Sequence, residues 1–499
     1  MSALTLAETL ASEAMAKASG WSEEQLLNLA GERLGLAIGR FFPTPGTVVG
    51  YLGKGHNAGD TLVALRILRD EFSWDIAARF AFPIPECAPL TRMKWAESGI
   101  PLPLEYAPEW HDLKRPLLLL DGLLGSGGRG VLREPLLGLA REISALRRHA
   151  GARVAAVDIP TGIDPDSGRI SPDTVTADVT FMIGNAKVGL LTGQAAIATG
   201  ALAVVPVEPL TVNRSGPFEI ISPQTFDFAK EPRPFDFHKG MAGRVAIVAG
   251  SRTYTGAAVL AASGALRGGA GLVTLFVPAA VRSMVVSSCP PEVIVREIEN
   301  PREVLGFRCG SLVIGCGLGE MDSQTESGLL ELISSSKVPT VVDADALNLL
   351  ARTGSLGILS DRHVLTPHPG EFSRLAPDLA ELAREEAARR FSDERCAGLL
   401  LLKGCRSLVT RQGKALWCNS TGTPAMATGG QGDLLAGVIG ARLAIGDTPM
   451  EAAALSAWLC GRAAEIAMQE ADTSEESLIP SDVLRCLGGA YEDWKSSSR

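Results

Sequence analysis

Aromatic residues are scarce in this 499-residue chain, at 5% of the total, and histidine is scarcer still, with six. The nine cysteines are scattered, with no C-x-x-C pair and no Cys/His cluster. That excludes a disulfide scaffold and a zinc site of ordinary spacing, and it fits reduced thiols in the core of a cytoplasmic protein. No apolar run reaches 18 residues, so no membrane span or membrane partner is expected. The first residues include Glu8 and Glu13 and lack a basic start with an apolar core, so no secretory signal is expected. The net charge is −9 and the pI about 5.4. Beyond the short Lys495/Arg499 tail there is no basic patch, and nucleic acid is not an expected partner.

What is plentiful is small and apolar. Glycine occurs 54 times, and the hydrophobic fraction is 46% against 21% charged. This suits tightly packed α/β layers with glycine-rich ligand loops. The length is too great for one ordinary core and sets a prior of about two to four domains.

Residues 4–40 read as helices, with Ser22, Glu23 and Glu24 forming a helix start. A strand follows at Val48–Leu52, then a loop over Gly53–Gly59 and a helix opened by Asp60 and Thr61. The spacing is not G-x-G-x-x-G, so no standard dinucleotide fingerprint is assigned. Further apolar strands run to Asp121, to Asp158 and toward Lys187. Continuous apolar strands alternating with helices predict a parallel sheet covered on both faces. Asp60, Asp121 and Asp158 then fall along one sheet edge, where each either caps its own turn or belongs to a shared site. The segment 208–237 carries Pro217, Pro223, Pro232 and Pro234 without a clear period. It reads as an interdomain linker that could hold short strands. The domains are set at 1–212 and 238–499, with 213–237 between them.

The second half restarts at His238. Strands are expected at Gly243–Ser251, Gly271–Pro278 and Ser311–Gly319, and before Asp343, His368 and Lys403. An alanine-rich helix, Thr255–Arg267, has small residues for close packing. The stretch that organises this half is ATGGQGDLLAG, Ala427 to Gly437. Its small-residue loop feeds a helix expected to start at or near Asp433. Such a start presents unpaired backbone N–H groups and the positive end of the helix dipole, which together cradle a phosphate. Asp433 either caps that helix or takes a proton from a group beside the phosphate.

Taken in order, HKGMAGRVAIVAGS, YTGAAVLAASGALRGGAGLVT, GCGLG, DADALNLL, TPHPGEFSRL, LKG and ATGGQGDLLAG resemble the bifunctional NAD(P)H-hydrate repair enzymes. In that family an N-terminal NAD(P)H-hydrate epimerase is fused to an ADP- or ATP-dependent NAD(P)H-hydrate dehydratase. The resemblance implies a Rossmann-like three-layer αβα fold for the first half and a ribokinase-like αβα fold for the second. It implies that Asp433 is the general base on the substrate hydroxyl, and that Gly429, Gly430 and Gly432 hold nucleotide phosphate. Lys403, Gly404, Cys405, Arg406 and Ser407 bind the adenine nucleotide. Ala257, Gly317, Gly319 and His368 contact the hydrated cofactor, as does Asp433. Mg²⁺ enters with the nucleotide, and Asp343 and Asp345 either orient it through water or cap their helix.

For the first half, the resemblance implies a K⁺ site at Asn57, Asp121 and Thr161, whose oxygens suit a hard cation. Asp158 is the proton-transfer group, supported by Lys187. The hydrate lies against His56, Asn57, Ala58, Gly59 and Asp60, and against Gly125, Ser126, Gly127, Gly128, Arg129, Gly130 and Val131. Two motifs depart from the family. G-N-N-G-G-D-G is here Gly55-His56-Asn57-Ala58-Gly59-Asp60-Thr61, and L-M-E-N-A-G is Leu26-Leu27-Asn28-Leu29-Ala30-Gly31. A homo-oligomer is expected. The alternative is a ribokinase-like small-molecule kinase carrying a non-catalytic Rossmann-like scaffold. It shares G-x-G-D but leaves TPHPGEF and the first half unexplained.

Overall fold

A computed structural model describes residues 2–107, 111, 113–128, 130–212, 216–223, 226, 232–470 and 473–496. The chain divides into two compact units, Met1–Ile220 and Ile221–Arg499. The candidate residue Arg129 lies outside the described residues.

The first unit opens with two helices, Leu6–Ala18 and Glu23–Phe41. Each begins in a capping box: Thr5 with Glu8, and Ser22 with Gln25. Its six strands are β1 (Thr47–Leu52), β2 (Asp75–Phe80), β3 (Leu117–Gly122), β4 (Arg153–Val157), β5 (Val179–Ile183) and β6 (Ala201–Val205). They form a wholly parallel sheet in the order β2-β1-β3-β4-β5-β6. Alternate residues go to opposite faces, as strand geometry requires. Leu118 and Leu120 join one apolar cluster, while Leu117 and Leu119 join the other. Both faces are therefore covered, giving three layers.

The expected loop Gly53–Gly59 is shorter than the sequence suggests. The helix runs His56–Phe72, with Gly55 at its N-cap position. Histidine, asparagine and glycine are poor helix formers, so local propensity hides this first turn. Packing against the helix Glu23–Phe41 overrides it. A Cβ on Gly59 would lie 2.7 Å from Leu27, and Cβ atoms on Gly31 and Gly35 would lie 2.5 Å from Val63 and 2.7 Å from Ile67. Glycines four apart let the two helices approach more closely than side chains allow.

The second unit holds β8 (Arg244–Val248), β9 (Leu272–Pro278), β10 (Val293–Ile298), β11 (Ser311–Ile314), β12 (Thr340–Val342), β13 (His363–Leu365), β14 (Leu399–Leu402), β15 (Leu408–Thr410) and β16 (Leu416–Asn419). The ten-stranded sheet has the order β10-β9-β8-β11-β12-β13-β14-β15-β16-β7. Its last strand, β7 (Phe218–Ile221), lies where the units divide. From β10 to β14 along that order the strands pair in parallel, and β14-β15-β16 pair antiparallel. Strand β10 is not foreseen in the sequence. Its Arg296 and Glu297 are exposed and break the apolar run, as befits the edge strand that it is.

The helix Thr255–Arg267 packs against the helix Gln431–Ile445 through small residues. A Cβ on Gly437 would fall 2.0 Å from the Ala261 carbonyl oxygen, and one on Gly264 would fall 2.4 Å from that of Leu434. The second of these helices begins at Gln431, two residues before Asp433, and its N-cap is Gly430 in the left-handed region at φ 94°. Asp433 is therefore not the cap but a residue of the first turn. No helix of the described residues is long and apolar enough to cross a membrane.

Candidate active sites

In the first unit, β1, β3, β4 and β5 are neighbours and run the same way, so the segments leaving their carboxyl ends meet. Asn57 comes from the helix after β1, Asp121 is the penultimate residue of β3, Asp158 and Thr161 follow β4, and Lys187 follows β5. Asn57 Nδ2 donates to the carbonyls of Leu124 at 3.1 Å and Val157 at 3.2 Å. The Thr161 hydroxyl donates to Asp121 Oδ1 and the Thr161 N–H to Oδ2, both at 2.7 Å. The Leu124 N–H donates to Thr161 Oγ1 at 3.1 Å.

Asp121 is fully buried. Burial pushes its carboxyl up from an ordinary 3.8 to about 6, against hydrogen bonds from Thr161 and Leu123 that pull it down. No basic side chain enters that balance. A carboxylate so placed lacks the opposite charge that buried ions ordinarily have.

Asp158 sits in the left-handed region at φ 67°, which a non-glycine residue seldom occupies. The turn aims its carboxylate back over the sheet end. Oδ1 accepts the Ile183 N–H at 3.0 Å and pairs directly with Lys187 Nζ. Nζ also donates to the Ile183 carbonyl at 2.8 Å. The pair is buried, with Lys187 1% exposed and Asp158 8%. Glu13 and Asp60 both feel the charge of Asp158, and both are raised, chiefly by burial.

The remaining expected residues divide by burial. His56 is exposed, whereas Ala58 is enclosed in the core. Gly125, Gly128, Gly130 and Val131 line a cavity of about 270 Å³. Ser126 and Gly127 complete the described loop.

In the second unit, β8, β11, β12, β13 and β14 lie side by side in parallel. A Cβ on Gly317 would lie 2.7 Å from that of Ala257, and one on Gly319 would lie 3.1 Å from Ser251 Oγ. The Gly319 N–H donates to Asp345 Oδ2 at 2.8 Å. Lys403 Nζ donates to Asp343 Oδ1 at 2.8 Å and lies 3.9 Å from Glu371 Oε2. Asp343 occupies the N-cap position of the helix Ala344–Thr353, yet its side chain makes no capping bond. Helix capping accordingly explains neither acid: Asp343 holds a lysine and Asp345 holds a loop amide.

The helix Gln431–Ile445 points its N-terminus at this group. A Cβ on Gly432 would be 3.0 Å from Lys403 Nζ and 3.7 Å from Asp343 Oδ2, and one on Gly429 would meet nothing within 4 Å. The first amides of that helix have no intrahelical acceptor. Burial pushes the Asp433 carboxyl up to about 6. The negative charge of Asp343 adds to this, while a Cys316 hydrogen bond and Lys403 oppose it. A carboxylate that titrates there is a usable base at neutral pH. His368 is half exposed. Its Nδ1 accepts the N–H groups of Gly370 at 3.0 Å and Glu371 at 3.3 Å, which leaves Nε2 as the nitrogen that carries hydrogen when the ring is neutral.

The expected nucleotide segment is mixed in character. Lys403 faces the acids, Cys405 is exposed, and the Ser407 hydroxyl donates to the Gly404 carbonyl at 3.3 Å. Arg406 is buried, with Nη1 donating to the Ser420 carbonyl at 3.4 Å. Among the described residues no group of three or more His, Cys, Asp or Glu could hold a metal ion. No local pattern marks the Lys403–Asp343 pair, because its partners lie 60 positions apart.

Residues 245–484 match the NAD(P)H-hydrate dehydratase family, and residues 23–189 match the YjeF-related protein N-terminus. A bifunctional NAD(P)H-hydrate repair enzyme of Pyrobaculum aerophilum is 33% identical over 493 residues, covering 94% of this chain and 95% of the relative. One from Gloeobacter violaceus is 34% identical over 505 residues, with 94% and 95% covered. A solved ADP/ATP-dependent NAD(P)H-hydrate dehydratase from Bacillus subtilis, co-crystallised with ATP/Mg²⁺, is 24% identical, with a TM-score of 0.47. It covers 55% of this chain and 98% of its own.

Proposed function

The chain belongs to the bifunctional NAD(P)H-hydrate repair enzymes, and from that premise we propose which of its residues carry each activity. The first unit interconverts the R and S hydrates of NADH and NADPH, and the second dehydrates the S-hydrate to the reduced cofactor. The kinase alternative is not favoured, because the similarity to repair enzymes spans both halves.

In the dehydratase half, ADP or ATP is the co-substrate and Mg²⁺ arrives with it. A hydroxyl on saturated nicotinamide carbon is a poor leaving group. Asp433 takes the hydroxyl proton as the oxygen attacks the terminal phosphorus. The nucleotide's bridging oxygen then departs with its electron pair. Loss of the new phosphate, with a ring proton, restores the double bond. The amides at Gly429–Gly432 and the helix dipole stabilise the anionic phosphoryl group. Lys403 neutralises Asp343 and limits repulsion of the phosphates. Ala257, Gly317, Gly319 and His368 would lie along the hydrated nicotinamide, and the backbone of Lys403–Ser407 along the nucleotide. The observation that carries this reading is Asp433, raised to about 6, in the first turn of a helix that points its free amides at the same place. The test is release of inorganic phosphate with return of reduced-nicotinamide absorbance when purified protein meets S-hydrate and ADP or ATP. Phosphate retained on the substrate would instead indicate a kinase.

In the epimerase half, Asp158 moves the proton and Lys187 holds its carboxylate in place. K⁺ fits the oxygens around Asp121, because the buried carboxylate has no basic partner there and a hard cation would supply the missing charge. Bound there, K⁺ would fix the loop Leu123–Gly125 relative to Asn57. The expected homo-oligomer is tested by size-exclusion chromatography with light scattering, which gives the copy number.

A further inference from the structure

The cavity of about 270 Å³ in the first unit has two walls. One is the glycine loop at Leu124–Leu132. The other comes from the segment Ile159–Pro172, in which the resemblance assigns a role to Thr161 alone, a residue that does not line the cavity. Asp158 and Lys187 do not line the cavity, so the part of a substrate that it takes is not the reacting ring. The volume is just below the usual range for a whole ligand pocket, about 300–1,000 Å³, and it suits one end of a dinucleotide.

The second wall is a built turn. Ile163 bridges Ile170, the Asp164 N–H donates to the Arg169 carbonyl at 2.9 Å, and the Gly168 N–H donates to the Asp164 carbonyl at 2.9 Å. Gly168 has φ 72°, and a Cβ there would fall 2.4 Å from the Gly189 carbonyl oxygen, so only glycine allows the turn. The Ser171 hydroxyl joins the two walls by donating to the Gly130 carbonyl at 2.9 Å.

Ile159, Ile163 and Ile170 give the cavity apolar sides, and among the described residues Arg169 is the cation on its lining. Arg169 is exposed and makes no ion pair among the described residues. The nearby acids are engaged elsewhere. Asp173 pairs with Arg141, Asp166 accepts the Leu6 N–H, and Asp164 Oδ1 accepts from the Ser167 N–H and hydroxyl. On the facing wall, Cβ atoms on Gly127 and Gly130 would meet nothing within 4 Å, which leaves room for a ligand to approach the loop backbone.

We propose that this cavity is a subsite for the adenosine end of the hydrated cofactor, with the base between the isoleucines and a phosphate group at Arg169. This rests on the assignment of the first unit as the epimerase. Arginine suits a phosphate because its planar fork makes paired, charge-assisted hydrogen bonds. A contact that holds substrate and transition state equally raises KM when it is removed and leaves kcat unchanged, and the subsite makes the Arg169 contact one of this kind.

The experiment compares full-length wild type, Arg169→Ala and Arg169→Lys. R-to-S interconversion is followed with NADPH-hydrate and with NADH-hydrate, and NADPH binding by calorimetry. Dehydration of S-hydrate serves as the folding control. The expected result for Arg169→Ala is a KM raised about tenfold with kcat within about twofold, with Arg169→Lys between it and wild type. A loss confined to NADPH-hydrate assigns the 2′-phosphate, and a loss on both substrates assigns the pyrophosphate. An unchanged KM on both, or a fall in kcat alone, overturns the subsite. If wild type interconverts neither hydrate, the epimerase assignment fails. The subsite is then decided by NADPH binding, where an Arg169→Ala affinity equal to wild type overturns it.

Discussion

Lys403 Nζ stands 2.8 Å from Asp343 Oδ1, and the pair lies beside Gly432, where an added Cβ would come within 3.0 Å of the lysine Nζ. The lysine is largely enclosed, at 17% side-chain exposure against 2% for the aspartate. Removing one member of a buried pair leaves the other uncompensated and costs about 3–5 kcal/mol. Lys403→Met is therefore expected to lower stability by about that amount in chemical denaturation. It also removes a charge that holds the Asp433 carboxyl down, so the acid limb of the dehydratase pH profile should move to higher pH. A stability loss with an unmoved limb would sever the lysine from the base.

Asp433→Asn keeps the shape of the first helical turn and deletes the base. Dehydration of S-hydrate should fall by about 10²–10⁴-fold, the usual worth of a positioned base. Nucleotide affinity should change little, since the amides remain. Turnover within tenfold of wild type would remove Asp433 from the chemistry.

The pH dependence of dehydration follows from the direction of that carboxyl's shift. The base must be ionised, and it titrates at about 6. Below that value the rate should fall tenfold per unit as the carboxyl protonates, and above it the rate should level off. A rate unchanged down to pH 4.5 would mean that another group accepts the proton.

Asp158→Ala should stop interconversion of the hydrates and leave dehydration of pure S-hydrate intact, because the two acids lie in separate units. It also strips Lys187 of its carboxylate partner. Asp158→Asn is the gentler companion, keeping the Ile183 N–H acceptor. Parallel loss of both activities in the asparagine variant would contradict two independent sites.

Asp121 titrates at about 6 in the folded protein against an ordinary 3.8. The folded state therefore binds this proton more tightly than the unfolded chain does. Its destabilising effect grows as pH rises from 3.8 to 6 and is fully present above. A cation that binds the ionised form offsets it, so K⁺ should raise the melting temperature more at pH 7.5 than at pH 5. Asp121→Asn should melt independently of K⁺. Equal K⁺ effects in wild type and variant would place the ion elsewhere.

Much of this molecule is legible in order along the chain. Apolar runs ending in aspartate gave β3 and β4 within a residue. Capping residues gave the start of the second helix at Ser22, and the alanine-rich stretch Thr255–Arg267 forms a helix over those same residues. These features are local, set by strand alternation, helix period and the chemistry of caps. The sequence also held the candidate bases Asp158 and Asp433, because each follows a strand or loop whose small residues mark a backbone turn.

Other features depend on distant partners. The first turn of the helix His56–Phe72 forms from weak helix residues because Gly31 and Gly35 bring another helix against it. Asp433 lies two residues inside its helix because Gly430 takes the left-handed cap position beside Leu260. The order of the strands, and with it the meeting of Asn57, Asp121 and Thr161, exists only once the sheet is assembled. So does the buried state that lifts Asp121 and Asp433 toward neutrality. Residue identity by itself determined which acids and glycines were available. Burial and the neighbours brought by the fold decided their charge and whom they face, because desolvation and Coulomb forces depend on distances in space rather than along the chain.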